Sequence, residues 1–234
     1  MGDLVQSATA ILSGAQQRAE EAAHNISNMA TPGYRARRTF AQVVSQADVA
    51  QGGIAQSAPT LSMKPGGLSE TGNPLDVAIG GEGFFELRGE TGSLFTRNGQ
   101  FSRADDGRLL GPGGRAVQGA GGGDLILTGT EFTISANGDL LEGDRTIGRL
   151  SIMTFDVNKA VLDIDGLLTV SPADRETVDA PLVRQGFLES SNVALGDEMI
   201  GLMEAVRRAE TGQRLMNVYD DLMGRAVTTF GQAS

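Results

Sequence analysis

The sequence predicts an α+β protein: N- and C-terminal helices that pair as a coiled coil, plus a central, mostly antiparallel all-β domain. Three observations predict it. Small and apolar residues recur every three or four positions from the start of the chain to Met29, and the same rhythm returns from Met199 to Phe230. Between these ends, short apolar runs are separated by turn residues such as Asn98-Gly99, Asp106-Gly107 and Asn137-Gly138.

The first helix rests on Met1, Val5, Ala8, Leu12, Ala15, Ala19, Ala22, Ile26 and Met29, an unbroken four-three spacing of about four heptads. At roughly 1.5 Å per residue such a helix is about 40 Å long. Alanine buries little area, so this seam is weak by itself and needs a partner. Pro32 cannot continue the helix and Gly33 permits a sharp exit. The stretch 36–70 is polar and weakly patterned, with Gln51-Gly52-Gly53 and Pro65-Gly66-Gly67 near its middle and end. It reads as an extended linker lying along the helices.

The β domain is expected over 71–185. Its strands are Leu75–Ile79, Phe84–Leu87, Leu94–Arg97, Gln100–Arg103, Leu150–Phe155 and Leu167–Val170. Asn98-Gly99 between the third and fourth is a two-residue hairpin signal. The last helix belongs to 186–234. Its expected seam runs through Met199, Leu202, Val206, Ala209, Gln213, Met216, Asp220, Met223, Val227 and Phe230, with Gln213 and Asp220 as polar breaks. The first helical segment is 1–35.

Composition narrows the function. The 234 residues include no cysteine and one histidine, His24. That excludes a disulfide framework, a thiolate nucleophile and cysteine-based metal sites, and leaves a histidine-based triad hard to build. The net charge of −10 argues against nucleic acid and against an anionic membrane surface. No stretch of about 18 apolar residues occurs, so membrane insertion is not expected. The N-terminus has no basic, apolar leader pattern, so any export is expected without a cleaved signal.

Reaction chemistry is equally sparse. Gly80-Gly81-Glu82-Gly83 and Gly121-Gly122-Gly123 match neither the dinucleotide fingerprint nor the phosphate loop. Asp163-Ile164-Asp165-Gly166 and Asp105-Asp106-Gly107 lack the downstream glutamate of a calcium loop. Asp197-Glu198 and Asp220-Asp221 are adjacent, so they do not face each other on a helix. No catalytic residue, cofactor or metal is expected.

Four motifs carry more information. Asn25-Ile26-Ser27-Asn28-Met29-Ala30-Thr31-Pro32-Gly33-Tyr34-Arg35 closes the first helix. Gly72-Asn73-Pro74-Leu75-Asp76-Val77-Ala78-Ile79, followed by Gly83-Phe84-Phe85, opens the β domain. Phe95-Thr96-Arg97-Asn98-Gly99-Gln100-Phe101 and Gln185-Gly186-Phe187-Leu188-Glu189-Ser190-Ser191-Asn192-Val193 follow, the latter leading toward Glu204-Ala205-Val206-Arg207. In this order they resemble the signatures of the bacterial flagellar rod and hook family. The chain departs from the common Asn-Asn-Leu-Ala-Asn pattern, having His24-Asn25-Ile26-Ser27-Asn28.

The resemblance implies a non-enzymatic subunit of the flagellar basal-body rod, nearer the family's proximal-rod branch than its distal-rod branch. It implies paired terminal helices in an inner layer, a β domain outside, and helical stacking around an export channel. The implied partners are copies of itself, other rod subunits and the flagellar type III export apparatus. The implied location is the periplasmic rod. Candidate subunit-interface residues are Leu12, Ala15, Ala19, Ala22, Ile26, Asn28, Met199, Leu202, Val206, Ala209, Met216 and Met223. A secreted, stalked adhesive β protein shares the composition but not the four ordered motifs. A carbohydrate-acting enzyme would need paired carboxylates that the sequence does not offer.

Overall fold

The structure is a computed structural model that describes residues 2–38, 60–90, 92–129, 131–163 and 166–231. The expected Gln51-Gly52-Gly53 part of the linker and Asp165 of Asp163-Ile164-Asp165-Gly166 lie outside the described residues. The chain divides into two units. Among the described residues, one unit holds 2–29, 37–38 and 193–231, and the other holds 30–36 and 60–192.

The first unit contains helices α1 (Gly2–Ser27) and α2 (Leu195–Gly231). They pack antiparallel. A side chain added at Gly212 would meet Leu12 and Ile11, while Ala22 and Asn25 line one cleft with Asp197 and Gly201. Ala8, Ala15 and Ala22 are fully buried, one per heptad, and Leu12, Ala19 and Ile26 are half-buried beside them. On α2 the buried row is Ala205 and Gly212, continued by half-buried Tyr219, with half-buried Leu202, Ala209 and Met216 completing the four-three spacing. The expected row of Val206, Gln213 and Asp220 is exposed instead. Leu202, Ala209 and Met216 stay in the seam while the alternate row moves back by one residue, which turns the seam by about 50° at 3.6 residues per turn and removes both polar breaks from the contact.

Helix α1 ends as its sequence requires. The Asn28 amide nitrogen donates to the His24 carbonyl, and so does the Asn28 side chain at 2.9 Å. Asn25 is buried, and its side-chain amide clasps Arg37 at two points: Nδ2 donates to the Arg37 carbonyl and Oδ1 accepts from the Arg37 amide, both at 2.9 Å.

The second unit is built on a six-stranded antiparallel sheet. Its strands, from one edge to the other, are Val161–Leu162, Leu168–Thr169, Ser93–Thr96, Phe84–Arg88, Ile152–Phe155 and Arg175–Thr177. The period-two alternation splits apolar side chains between its faces. Phe85, Leu87, Leu94, Ile152 and Leu167 enter the main core with Leu109, Val117, Leu127 and Leu140. Phe84, Phe95 and Leu168 point to a smaller cluster with Phe155. Short pairs complete the unit: Val77–Ile79 with Val183–Gln185, Leu68–Glu70 with Phe187–Glu189, and Ser102–Arg103 with Leu109–Leu110. A three-stranded sheet of Thr133–Ile134, Asp139–Glu142 and Arg145–Arg149 extends it.

Two sequence expectations change. Residues 60–70 of the expected linker belong to the β unit. Asn98-Gly99 is not a hairpin, since Ser93–Thr96 pairs with Phe84–Arg88 and Ser102–Arg103 with Leu109–Leu110. A type I′ turn needs positive φ at both central residues, and neither Asn98 nor Gly99 has it. Asn98 instead makes an Asx turn, its Oδ1 accepting from the Gln100 amide at 2.9 Å. The glycine lets the chain cross another strand, because a Cβ on Gly99 would lie 1.7 Å from the Val77 carbonyl oxygen.

Candidate functional site: a charged junction and an exposed helix face

Residues 30–35 of the first motif and residues of the other three motifs come together inside the β unit. Residues 30–36 and 186–192 run together: the Gly33 amide donates to the Glu189 carbonyl at 2.7 Å, and the Asn192 amide to the Tyr34 carbonyl at 3.3 Å. Gly33 is required here, with φ of 67° and a would-be Cβ only 2.3 Å from the Arg97 carbonyl carbon. A third segment joins through Asn192. Its side chain accepts from the Ala36 amide at 2.7 Å and donates to the carbonyls of Ser62 and Lys64 at 3.0 and 2.7 Å.

At the centre lie three charges, with side chains 5% (Arg35), 6% (Arg97) and 3% (Glu189) exposed. Glu189 Oε1 takes Arg35 Nη2 at 2.8 Å and the Gly66 amide at 2.9 Å. Arg35 Nη1 donates to the Lys64 carbonyl. Arg97 donates to the carbonyls of Ile79 and Gly81, lies over the Phe84 ring, and keeps Nε 3.7 Å from Glu189 Oε2. Burial pulls both guanidiniums below their ordinary values, and the Glu189 carboxylate pulls them back up. A cleft of about 630 Å³ opens beside Arg97 and Glu189, with Met63 and Leu68 exposed on its wall.

The second feature is the outer surface of α2. Met199, Met203 and Val206 are 53%, 56% and 51% exposed and follow the i, i+4, i+7 spacing of one helix stripe. Leu215, Val218 and Leu222 form a second exposed stripe in the C-terminal half. Both stripes leave large apolar side chains of α2 exposed.

The sequence-predicted interface residues divide accordingly. Ala15 and Ala22 are buried, and Leu12, Ala19, Ile26, Leu202, Ala209 and Met216 are half-buried in the helix pair. Asn28 is half-buried and bonded to the end of its own helix. Met199, Val206 and Met223 remain exposed. The sequence marks Gly212 as a place of close helix approach and Tyr219 as widening the apolar stripe, but it does not mark Ala205 as a seam residue; the signal was available, since replacing Val206, Gln213 and Asp220 by their N-terminal neighbours removes both polar breaks from the seam. Reasoning from sequence also missed the junction, although Arg35, Arg97 and Glu189 each stood inside a quoted motif.

Comparison with known proteins decides the family. A flagellar basal-body rod protein FlgF from Mesorhizobium japonicum is 32% identical over 230 residues, covering 94% of each chain. The chain belongs to the flagellar basal-body rod protein family. The FlgF of Salmonella typhimurium is 31% identical over 87% of this chain and 88% of its own. A FlgG from Agrobacterium fabrum is 31% identical over 88% of this chain and 91% of its own. Two family models match within the chain: the flagellar basal body rod FlgEFG protein C-terminal model over 184–229, and the flagellar hook protein FlgE/F/G D1 domain model over 78–142. The first spans part of the junction and most of α2; the second contains Arg97 and the centre of the sheet. No helix among the described residues is long and apolar enough to cross a membrane. Nor does any group of three or more His, Asp or Glu there form a metal site.

Proposed function

We propose that this structural subunit of the flagellar basal-body rod is of the proximal type, and that α1 and α2 form a coiled coil whose outer face is completed by neighbouring subunits. The observation that carries it is the pairing of a small-residue seam inside the helix pair with large apolar side chains outside it. Met199, Val206 and Met223 are the interface residues toward other subunits; Leu12, Ala15, Ala19, Ala22, Ile26, Leu202, Ala209 and Met216 build the helix pair those subunits grip. A surface that meets a different surface on the next copy, with a rotation that does not close, generates a helical tube. Shared helix contacts then resist twist along a hollow shaft.

The remaining partners follow from this assignment. The subunit is passed outward by the flagellar type III export apparatus and works in the periplasmic part of the rod. A charge of −10 keeps it from nucleic acid, and it does not insert in a membrane. It is not an enzyme and carries no cofactor.

Cryo-electron microscopy of basal bodies containing this chain tests the proposal. A short tier between the smaller rod subunits and the distal rod supports the proximal type. A long run reaching the hook makes it distal, and absence from the axial structure overturns the rod assignment. Ala19→Glu is expected to block incorporation while the β unit still folds; normal motility from that variant would contradict the helix-pair geometry.

A further inference from the structure

The junction is unbalanced in charge, and that imbalance has a direction. Arg35 comes from the stretch that follows α1 in the sequence, and Arg97 from the end of a central strand. Glu189 comes from the last strand of the β unit. Arg35 repels Arg97, and the exposed Glu82 adds only a weaker attraction to Arg97. A buried charge without a counter-ion is far more costly than a neutral polar group in the same place. Before 186–192 is seated, therefore, the two guanidiniums cannot share this interior.

Backbone geometry makes the same segment indispensable. The Gly66 amide needs Glu189 Oε1, and the Gly66 Cα lies so close to residue 190 that a Cβ would sit 1.8 Å from the Ser190 carbonyl oxygen. The Ser190 amide donates to Gly67, the Gly33 amide to Glu189, and the Ala36 amide to Asn192. Two separate stretches, 33–36 and 62–67, are thus held by one, and Arg97 meets that same segment through its charge pair with Glu189 at 3.7 Å.

We propose that Glu189 is an electrostatic latch: its carboxylate permits Arg35 and Arg97 to be buried side by side, so the junction closes only when the last strand of the β unit has arrived. The six-stranded sheet, whose central strands do not use Glu189, forms independently of this closure. The latch makes the stretches 30–36 and 62–67 wait for the C-terminal part of the chain. It couples the two ends of the β unit without any ligand.

Amide hydrogen exchange on the full chain tests it. Glu189→Gln keeps the shape and an acceptor oxygen for Gly66 and removes only the charge. Exchange at Gly33, Ala36, Gly66 and Ser190 is expected to rise about tenfold or more, while Glu86, Arg88 and Gln118 of the sheet region keep their protection. Adding Arg97→Met lowers the cluster's charge again, so the double variant is expected to exchange more slowly at Gly33 than Glu189→Gln alone. Unchanged exchange in Glu189→Gln overturns the latch. So does an equal rise at Glu86, Arg88 and Gln118, or a double variant whose losses simply add. Should Glu189→Gln fail to fold, recovery of folding in the double variant supports the latch and continued failure overturns it.

Discussion

In the β unit the largest fully buried side chains are Phe85, Phe95, Leu87, Leu109, Leu127 and Leu140. In the helical unit the fully buried hydrophobic side chains among the described residues are Ala8, Ala15, Ala22 and Ala205, and buried Gly212 sits opposite Leu12 and Ile11. A buried methyl contributes about 0.8 kcal/mol, whereas a buried Leu or Phe contributes about 1.5–3 kcal/mol. The β unit therefore buries most of its large apolar side chains, leaving Met63, Leu68, Ile126, Val161 and Leu182 exposed, while the helices spend small residues on each other and leave methionine, valine and leucine in stripes outside. One region buries its largest side chains within the chain; the other keeps its largest apolar side chains outside.

The largest effect of a single substitution is expected in the β core. Phe85→Ala removes a fully buried ring that packs edge-on against Phe101 at 5.1 Å. A loss of about 3–5 kcal/mol is expected, seen as a lower denaturant midpoint for the β-sheet signal. If the helical signal falls at the same midpoint, the two units unfold as one and the contrast drawn here is too sharp.

The helical seam should answer to overpacking rather than to cavities. At Gly212 a Cβ would already lie 2.9 Å from Leu12 Cγ. Gly212→Val is expected to cost about 1–3 kcal/mol and to appear as lost far-ultraviolet helical signal with an unchanged sheet. Outside the seam the same unit should tolerate a charge. Met203→Glu is expected to change monomer stability by no more than about 0.5 kcal/mol while abolishing recovery of the chain in basal bodies. A large loss of monomer stability would place Met203 inside the folded chain rather than at an interface.

The smallest effect concerns acid. Glu142 accepts from the Gly129 and Thr128 amides and the Thr128 hydroxyl, which holds its carboxyl below the ordinary carboxylate value. A depressed folded value means stability that is present above about pH 4.3, the unfolded value, and is lost as pH falls through the folded one. Glu142→Gln should therefore show a smaller drop in Tm between neutral pH and pH 3 than the wild type. An equal drop would mean that other carboxylates carry the acid sensitivity.

Much of this was legible in the residues. The α1 seam reads directly because Ala8, Ala15 and Ala22 repeat every seven positions with no competing stripe. The α2 seam does not, because that helix carries two apolar patterns one residue apart, and size favoured Met199, Val206 and Met223 over Ala205. Hydrophobicity marks the face that needs covering, and small residues mark the face already covered. Asn98-Gly99 misled for a related reason: the dipeptide permits a turn, but a close crossing over Val77 requires the same glycine. The junction was visible only as three motifs, since nothing in a linear sequence states that Arg35, Arg97 and Glu189 meet.

On the proposed assembly, the α2 stripe is open in the single chain and closed in the rod. Because the chain contains no cysteine, a single Met203→Cys variant gives a clean probe. Its maleimide labelling in dilute monomer should match that of an exposed control such as Glu176→Cys, and should fall about tenfold or more in purified basal bodies while the control stays reactive. Equal labelling at position 203 in monomer and basal body would contradict the account.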